Sequence, residues 1–425
     1  MTPEVKERIE QIRHGNVPEG YIQSKDGIYP EDWISKKMSQ WLHLMERPVT
    51  LEDEATYELV TVRRGFGGVD SRGCYLGKNV LVKNYFGIRT GDFVISKRQI
   101  AHGACGVVSA ELDGAVVSNE YNVFVPQEET NIGMFNMMMQ LPHYKRLFYL
   151  MSDGVHIEKL LFKTDDWMRR SLAMPPLKEQ GRIAEILSAQ DKVIALKEKL
   201  LAEKQRQKKH LMQQLLSGKK RLPGFSDKWK FAELGKISKK RKEKNKKFEY
   251  SLVFSNSAQH GIIPQTEQFD KEIANEERID GYYIVHDSFF VYNPRISVTA
   301  PCGPINRNET GKTGVMSPLY TVFSIESEEI NQDFLKQYFK SSCWYRHMKS
   351  VANYGARHDR MNVSDEDFFL MPIPVPSLDE QHAIATFLIA ADREIELLRQ
   401  DLEQEKQKKK ALMQLLLTGI VRVSV

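Results

Sequence analysis

The sequence predicts an α+β protein built as a tandem repeat: two related α/β domains, separated by two long helices that pair as an antiparallel coiled coil. Three observations support this prediction. An ungapped alignment of residues 174–222 with 375–423 gives about 21 identities in about 49 positions. Short β-like runs alternate with glycine and asparagine turns upstream of both aligned segments. Leucine and isoleucine recur at seven-residue spacing within both segments.

The 425 residues suit two or three domains, and the repeat divides them into five parts. These parts are an N-terminal helical segment (1–28), a first domain (29–173), a first long helix (174–221), a second domain (222–373) and a second long helix (374–425). The repeat extends into the domains, because FVISKRQIAHGACG (93–106) aligns with FVYNPRISVTAPCG (290–303). Small shifts of register between such blocks are typical of loop insertions.

Heptads in the two long helices predict the coiled coil, since sustained seven-residue spacing with charged flanks indicates such a seam. The predicted interface residues are Leu187, Ile194, Leu201 and Leu215 in the first helix, and Leu388, Ile395, Leu402 and Leu416 in the second. Both seams weaken at one place, with Lys204 and Lys208 in the first helix and Glu405 and Lys409 in the second. Repeats within one chain tend to meet about a pseudo-two-fold axis. A perpendicular axis would make the helices antiparallel.

Composition narrows the class of protein. The four cysteines form no CxxC pair, which argues against a zinc ribbon or a disulfide scaffold and fits a reducing cytoplasm. The start, MTPEVKERIEQIRHG, lacks the apolar core of an export signal, and no apolar run has the length of a membrane span. The net charge is only +5, so the placement of charge matters more than its total. We therefore expect a cytoplasmic protein with no membrane partner.

The common catalytic motifs are missing from the sequence. A GKT stands at 311–313, but Asn306 occupies the position of the first glycine of a phosphate loop. Asn293 and Pro294 resemble the start of the NPP motif of adenine methylases, but Arg295 follows and no glycine-rich cofactor loop precedes them. Neither HExxH nor GxSxG occurs. The sequence thus predicts no catalytic site and no metal site.

Several blocks in combination resemble one family. They are YNPRI (292–296), SPLYTVF (317–323), GARHDRMNVSDEDF (355–368), and the PxPxLxEQ pattern that opens the second long helix. The segments LPGFSDKWKFAELGKI (222–237) and YPEDWISKKMSQW (29–41) look like the beginnings of that family's two recognition domains. The chain resembles the specificity subunit of type I restriction–modification enzymes along nearly its whole length. The first domain departs more, with SKR in place of NPR and VHIEKL in place of ARHDRM.

The resemblance implies a DNA-reading subunit that is not itself an enzyme. Two target recognition domains would each read one half of a bipartite site in double-stranded DNA. The conserved helices would set the spacer and dock two modification (methyltransferase) subunits, which carry S-adenosylmethionine. Two restriction subunits using ATP and Mg²⁺ would join in some complexes, and this chain would bind no cofactor. A self-contained methylase or nuclease and a structural coiled-coil adaptor are the alternatives.

Side chains that differ between the aligned domains are the candidates for reading bases, because shared residues cannot encode a difference between half-sites. The best such place follows the aligned segments YELV (57–60) and YSLV (250–253), where arginine would suit guanine, and asparagine or glutamine would suit adenine. The candidates are Arg63, Arg64 and Phe66 in the first domain, and Asn256, Ser257, Gln259 and His260 in the second. An ordinary variable surface loop is the alternative.

Two further features are candidates for contacting phosphates, which position a protein on DNA without specifying sequence. The shared arginines Arg98 and Arg295 would bind phosphate or make a structural hydrogen bond. The basic run 236–247 would be a flexible phosphate-contacting arm or a solvated linker. Its candidate residues are Lys239, Lys240, Arg241, Lys242 and Lys244.

Overall fold

The computed structural model of the chain describes residues 2–24, 27–154, 160–268, 276–353 and 359–424. Most of the VHIEKL block and the beginning of the GARHDRM block therefore lie outside the described residues. The chain divides into two compact units. Unit 1 comprises Met1–Lys197 together with Asp401–Val425, and unit 2 comprises Glu198–Gln400. Each long helix thus contributes one half to each unit.

Unit 1 is a mixed α+β body. Its helices are α1 (Pro3–Arg13), α2 (Met38–Trp41), α3 (Ile132–Met138), α4 (Pro142–Leu150), α5 (Thr164–Met168) and the first half of α6 (Leu177–Leu216). Its strands are β1 (Tyr21–Ser24), β2 (Gly27–Pro30), β3 (Ile34–Lys37), β4 (Leu42–Leu44), β5 (Pro48–Thr50), β6 (Thr56–Val62), β7 (Val69–Leu76), β8 (Asn84–Gly87), β9 (Phe93–Ser96), β10 (Cys105–Val107), β11 (Val116–Ser118), β12 (Tyr121–Pro126), β13 (Ser152–Asp153), β14 (Leu161–Phe162) and β15 (Ser171–Met174).

Two sheets organise unit 1. One has the strand order β10-β9-β12-β4 and is antiparallel throughout. All four residues of its strand β9 are buried, so β9 is a continuous apolar run, as expected of a strand covered on both faces. The other sheet has the order β5-β8-β11-β6-β7. The main core lies between the first sheet, helices α3 to α5 and the long helices, with Trp41, Phe135 and Trp167 almost fully buried.

Unit 2 is also a mixed α+β body. Its helices are α7 (Leu234–Ile237), α8 (Gln265–Gln268), α9 (Gln332–Lys340), α10 (Tyr345–Val351), α11 (Asp365–Phe369) and the first part of α12 (Leu378–Leu416), which pairs with the second half of α6. Its strands are β16 (Lys230–Glu233), β17 (Ser238–Arg241), β18 (Phe254–Ser257), β19 (Gly261–Pro264), β20 (Tyr283–Val285), β21 (Phe290–Tyr292), β22 (Ile305–Arg307), β23 (Gly314–Met316), β24 (Thr321–Ile325) and β25 (Pro372–Val375).

The sheet β17-β24-β21-β22 of unit 2 repeats the strand order of β4-β12-β9-β10 in unit 1. The pair β16–β25 likewise repeats β3–β15. Outside this common framework the units differ, because unit 2 has the two-stranded pairs β18–β19 and β20–β23 where unit 1 has its five-stranded sheet. The repeat seen in the sequence is therefore a repeat of the framework.

The long helices run antiparallel within each unit. In unit 1, Lys409 Nζ lies 2.6 Å from Asp191, and Lys197 Nζ lies 2.7 Å from Asp401. In unit 2, Lys204 Nζ lies 2.7 Å from Glu394, and Lys208 pairs with Asp392. Residue numbers rise along one helix as they fall along the other in both sets. The predicted α+β fold with an antiparallel helix pair is confirmed.

The predicted seam residues lie in the helix interface. Leu187, Leu215, Leu388, Ile395, Leu402 and Leu416 are buried, and Ile194 and Leu201 are half-buried. The two weak places in the seam are bridged by charge: Lys208 pairs with Asp392, and Glu405 accepts hydrogen bonds from Gln190 and Lys197. Ionic pairs thus replace apolar packing at the positions where the heptads lose their leucines.

Each unit has a buried carboxylate near the start of a long helix, paired with an arginine that follows the end of the other long helix. Glu380, near the start of α12, is 1% exposed and accepts two hydrogen bonds of 2.5 Å from Arg221, which follows the end of α6. Glu179, near the start of α6, is 3% exposed and accepts hydrogen bonds of 2.8 and 2.7 Å from Arg422, which follows the end of α12. The same bidentate pair therefore occurs once in each unit.

A buried glutamine beside each carboxylate ties the helix to its domain. Gln180 accepts a hydrogen bond from the backbone N–H of Asn131 and donates to the carbonyl of Glu129. Gln381 accepts from the backbone N–H of Asn331 and donates to the carbonyl of Glu329. Each asparagine in turn caps a helix, α3 or α9, through its side-chain oxygen. The repeated EQ dipeptide is therefore a structural element.

Both ends of the chain belong to unit 1. The Arg8 guanidinium donates to the carbonyl of Ile420 at 2.6 Å, and the Tyr21 hydroxyl donates to the carbonyl of Gly419 at 2.6 Å. Gly419 has a φ of +72°, and a Cβ there would meet the ring of Pro30 at 2.5 Å. Glycine is required at this turn because the backbone is left-handed and the approach is close.

We expect Arg221→Ala to lower the free energy of unfolding of unit 2 by about 3–5 kcal/mol, because it leaves the buried Glu380 charge uncompensated. Denaturant unfolding followed by hydrogen exchange in residues 198–400 measures this. The control is Arg399→Ala, which removes an exposed pair with Glu396 and should cost about 0–1 kcal/mol. A loss at Arg221 no larger than at Arg399 would contradict the assignment.

Glu405 gives the helix pair a pH dependence. Hydrogen bonds from Gln190 and then from Lys197 lower the pKa of Glu405 from 4.5 to about 2. Its contribution is therefore complete above pH 4.5 and is lost as the pH falls from 4.5 through about 2. We expect Glu405→Gln to flatten the fall of the melting temperature across this window. Glu185→Gln, at an exposed position of α6, is the control and should leave the wild-type curve unchanged.

Candidate nucleic-acid interface

The candidate residues of unit 1 lie on the turn between β6 and β7. Arg63 and Arg64 are exposed there, and Arg63 forms an ion pair with Asp70. Two backbone hydrogen bonds anchor the turn, since the N–H groups of Gly65 and Phe66 donate to the carbonyls of His102 and Gly103 at 2.7 and 2.8 Å. The arginines thus project from an anchored hairpin.

Phe66 belongs to the support of this hairpin. Its φ is +61°, and its ring packs on Gly103, where a Cβ would approach the ring to 2.9 Å. The ring also packs against the main core of unit 1. The sequence groups Phe66 with the base-reading candidates, whereas the structure places its ring against the protein. Its position corrects that expectation, because a ring held in this way anchors the turn.

The candidate residues of unit 2 lie on the hairpin of β18 and β19. Gln259 and His260 are exposed at its tip, and their backbone N–H groups each lie 3.3 Å from the Ser257 hydroxyl oxygen. Ser257 is half-buried, and these contacts of its hydroxyl hold the turn. The tip has two neighbouring polar side chains that are accessible to a ligand.

Asn256 is placed differently from the sequence prediction. It is 3% exposed, and its side-chain N–H donates to the carbonyl of Val291 at 2.7 Å. Its side-chain oxygen accepts from Asn306 at 2.7 Å. A base cannot reach this amide without displacing these bonds, so Asn256 joins the hairpin to β21 and β22. The sequence could not show this, since both partners lie tens of residues away.

The two shared arginines have different surroundings. The Nε of Arg98 is 2.6 Å from Glu120, so the Arg98 charge is paired. Arg295 is exposed, and its backbone N–H donates to the side chain of Asn293 at 2.9 Å. Asn293 also donates to the carbonyl of Asn256 at 3.0 Å, which places Arg295 near the β18–β19 hairpin.

The basic run is part of the fold. Residues Ser238–Arg241 form the edge strand β17, paired with β24, and Lys244 bridges Tyr283. Lys240 pairs with Asp365, and Arg241 pairs with Glu326 at 2.5 Å. The expected flexible arm or linker is therefore corrected to a sheet edge with partners in unit 2. Among the candidates of the basic run, the side chains of Lys239, Lys242 and Lys244 are exposed.

Sequence reasoning did not single out Arg360 or Asn306. Arg360 stands within the GARHDRM block and is paired through its backbone with Arg295. Asn306 entered only as a mismatch to a phosphate loop, yet it holds the β18–β19 hairpin through Asn256 and the carbonyl of Ser257. Arg295 and Arg360 both lie in blocks that the sequence analysis had quoted, so a comparison of the basic residues in these blocks could have singled out Arg360. The role of Asn306 depends on strand pairing and had no local signal.

The described residues contain no group of three or more His, Cys, Asp or Glu side chains arranged to hold a metal ion. Within the same residues, every helix is too short or too polar to cross a bilayer. Each unit has its own anchored hairpin with an exposed polar tip. Such a surface can form hydrogen bonds to a ligand and attract negative charge.

Comparison with known proteins agrees with this description. Residues 226–406 match the family described as the type I restriction modification DNA specificity domain. The second half of the chain therefore resembles this specificity domain. The resemblance predicted from the sequence is therefore confirmed.

Two curated relatives come from Methanocaldococcus jannaschii. The putative type I restriction enzyme MjaX specificity subunit is 26% identical over 282 residues, covering 59% of each chain. The type I restriction enzyme MjaVIII specificity subunit is 25% identical over 292 residues, covering 63% of this chain and 65% of the relative. The chain thus aligns with less than two thirds of the length of these relatives.

Two solved structures have the same fold. The HsdS subunit from Thermoanaerobacter tengcongensis aligns with a TM-score of 0.54 at 16% identity, covering 92% of this chain and 98% of that one. A structure described as showing complex assembly and conformational transition of the type I R-M system aligns with a TM-score of 0.58 at 16% identity, over 92% and 99%. At this identity the comparison shows fold alone.

Proposed function

We propose that this chain is the non-catalytic DNA-reading subunit of a type I restriction–modification complex, with each unit reading one half of a bipartite site. One observation carries the proposal. The same framework supports, in each unit, an anchored hairpin whose exposed tip has different polar side chains: Arg63 and Arg64 in unit 1, and Gln259 and His260 in unit 2. Different tips on a common support suit the reading of two different half-sites, since base contacts specify and phosphate contacts position.

The proposed partners follow from the family. Double-stranded DNA is the ligand of the hairpins, and two modification subunits dock on the long helices. Two restriction subunits complete the complex when the host encodes them. S-adenosylmethionine, ATP and Mg²⁺ belong to those partners, and the complex works in the cytoplasm. The exposed outer face of the helices, which includes Leu196 and Leu397, offers surface for a partner.

The long helices suit the role of a spacer because they are continuous. The helix α6 has 40 residues and α12 has 39, which corresponds to rods of about 60 Å. Ion pairs join the two helices within each unit. We propose that the length of this rod sets the number of unread base pairs between the half-sites.

The half-site assignment is tested by methylome sequencing of a host that expresses the partners with variant chains. We expect Arg63→Ala with Arg64→Ala to relax one half of the methylated motif, and Gln259→Ala with His260→Ala to relax the other. Each lost bidentate contact should cost about 1–3 kcal/mol of base discrimination. Asn256→Ala is the matched control and should lower the stability of unit 2 without changing the motif.

Three results would contradict the proposal. Equal weakening at both half-sites would assign the tips to phosphate. Methyl transfer by the purified chain with S-adenosylmethionine alone would make it a self-contained methylase. Wild-type complex that binds no DNA would favour the structural adaptor.

The spacer role is tested by adding one heptad after Leu201 and one after its repeat counterpart Leu402. Both seams stay in register, and the Asp191–Lys409 and Lys208–Asp392 pairs are kept because both helices grow equally. Seven residues add about 10 Å of helix. We expect the unread spacer to lengthen by up to about three base pairs of about 3.4 Å each, with both half-sites unchanged. Three-residue insertions at the same places break the heptad and should abolish methylation; an unchanged spacer in the heptad variant would refute the ruler.

A further inference from the structure

Two arginines of unit 2 face each other across paired backbone segments. Arg295 and Arg360 form an antiparallel bridge. The flanking backbone bonds run from the N–H of Ile296 to the carbonyl of Asp359 at 3.0 Å, and from the N–H of Met361 to the carbonyl of Pro294 at 2.9 Å. This pattern makes the arginines a non-hydrogen-bonded pair, in which Cα atoms are about 4.5 Å apart and side chains are closest. Both side chains leave the backbone on the same face.

The pair concentrates positive charge. Directly opposed like charges destabilise a strand pair. Among the described residues, the ion pair of Arg360 is with the exposed Asp359 at 3.9 Å, and Arg295 forms none. Residues 354–358, between the described segments, read YGARH and contain no carboxylate. An anion placed between the two guanidinium groups would relieve their repulsion.

The electrostatic influence of both charges extends to a tyrosine of unit 2. Tyr320 is half-buried; burial raises the pKa of its hydroxyl, and the positive charges of Arg295 and Arg360 act in the opposite direction. The Ser255 side chain at the base of the β18–β19 hairpin also acts to lower the pKa of Tyr320. Asn293, two residues before Arg295, donates to the carbonyl of Asn256 at 3.0 Å, so the basic pair lies beside the β18–β19 hairpin.

Unit 1 has a different arrangement at the matching place. SNEYNVF (118–124) aligns with SPLYTVF (317–323), so Glu120 stands where unit 2 has Leu319. Glu120 pairs with Arg98, the counterpart of Arg295, at 2.6 Å. Leu319 is 61% exposed and provides no charge. One substitution thus neutralises the shared arginine in unit 1 and leaves it available in unit 2.

We propose that Arg295 and Arg360 form a clamp for one DNA phosphodiester in unit 2, and that Glu120 keeps Arg98, the counterpart of Arg295, from this role in unit 1. Arginine suits this role because its planar fork of donors matches phosphate oxygens. The clamp would position unit 2 on the DNA without reading bases. This inference rests on the proposed DNA-reading function and deepens it by naming an asymmetric phosphate contact.

The test measures the affinity of the assembled modification complex for its site as a function of salt. On B-DNA the slope of log affinity against log salt is about −0.9 for each phosphate contact. We expect Arg360→Gln and Leu319→Glu each to make the slope shallower by about 0.9, with an unchanged methylated motif. Leu319→Gln is the matched neutral control and should keep the wild-type slope. Glu120→Leu should free Arg98 and make the slope steeper by about 0.9.

The outcomes separate the clamp from the proposed function. Wild-type slopes in both Arg360→Gln and Leu319→Glu would overturn the clamp, as would a changed motif in either variant, which would mean base reading. Leu319→Glu tests the clamp without disturbing the fold, because this exposed position tolerates charge. The melting temperature of this variant should match that of Leu319→Gln. A wild-type complex that methylates no bipartite motif would overturn the proposed function itself.

Discussion

The architecture depends on a buried carboxylate that must find a cation. A glutamate at 1–3% exposure is stable only when its charge is compensated with good geometry. Glu380 obtains Arg221, and Glu179 obtains Arg422. Each arginine follows the end of one long helix, whereas each glutamate begins the other. The start of one helix and the end of its partner are therefore brought together in each unit, which is possible only if the helices are antiparallel.

The charges along the helices favour the same orientation. Asp191 and Asp392 are repeat counterparts, and so are Lys208 and Lys409. In a parallel pair in register, each residue would face its own counterpart, lysine against lysine and aspartate against aspartate. In the antiparallel pair each lysine meets an aspartate. Like-charge repulsion thus disfavours the parallel alternative, and the apolar seam by itself does not distinguish the two orientations.

The framework and the variable surface obey different constraints. The sheet that packs on the long helices is the same in both units, because its apolar face must fit α3 or α9 and the EQ dipeptide of the helix start. The hairpins need only be anchored at their base. They are held by backbone bonds in unit 1 and by Asn256 and Asn306 in unit 2. Different anchors can support different tips while the framework stays the same.

The sequence by itself determined what depends on local periodicity and on internal alignment: the repeat, the two long helices, their seam, and the exposed positions of Arg63, Arg64, Gln259 and His260. Heptads and turn residues are short-range signals, so they survive without knowledge of tertiary contacts. The tertiary structure alone decided that Asn256 is buried, that the basic run is the edge of a sheet, and that Arg360 lies opposite Arg295. Each of these depends on pairing between segments tens of residues apart. Strand pairing sets which polar side chains form hydrogen bonds inside the fold, and no local pattern encodes that choice.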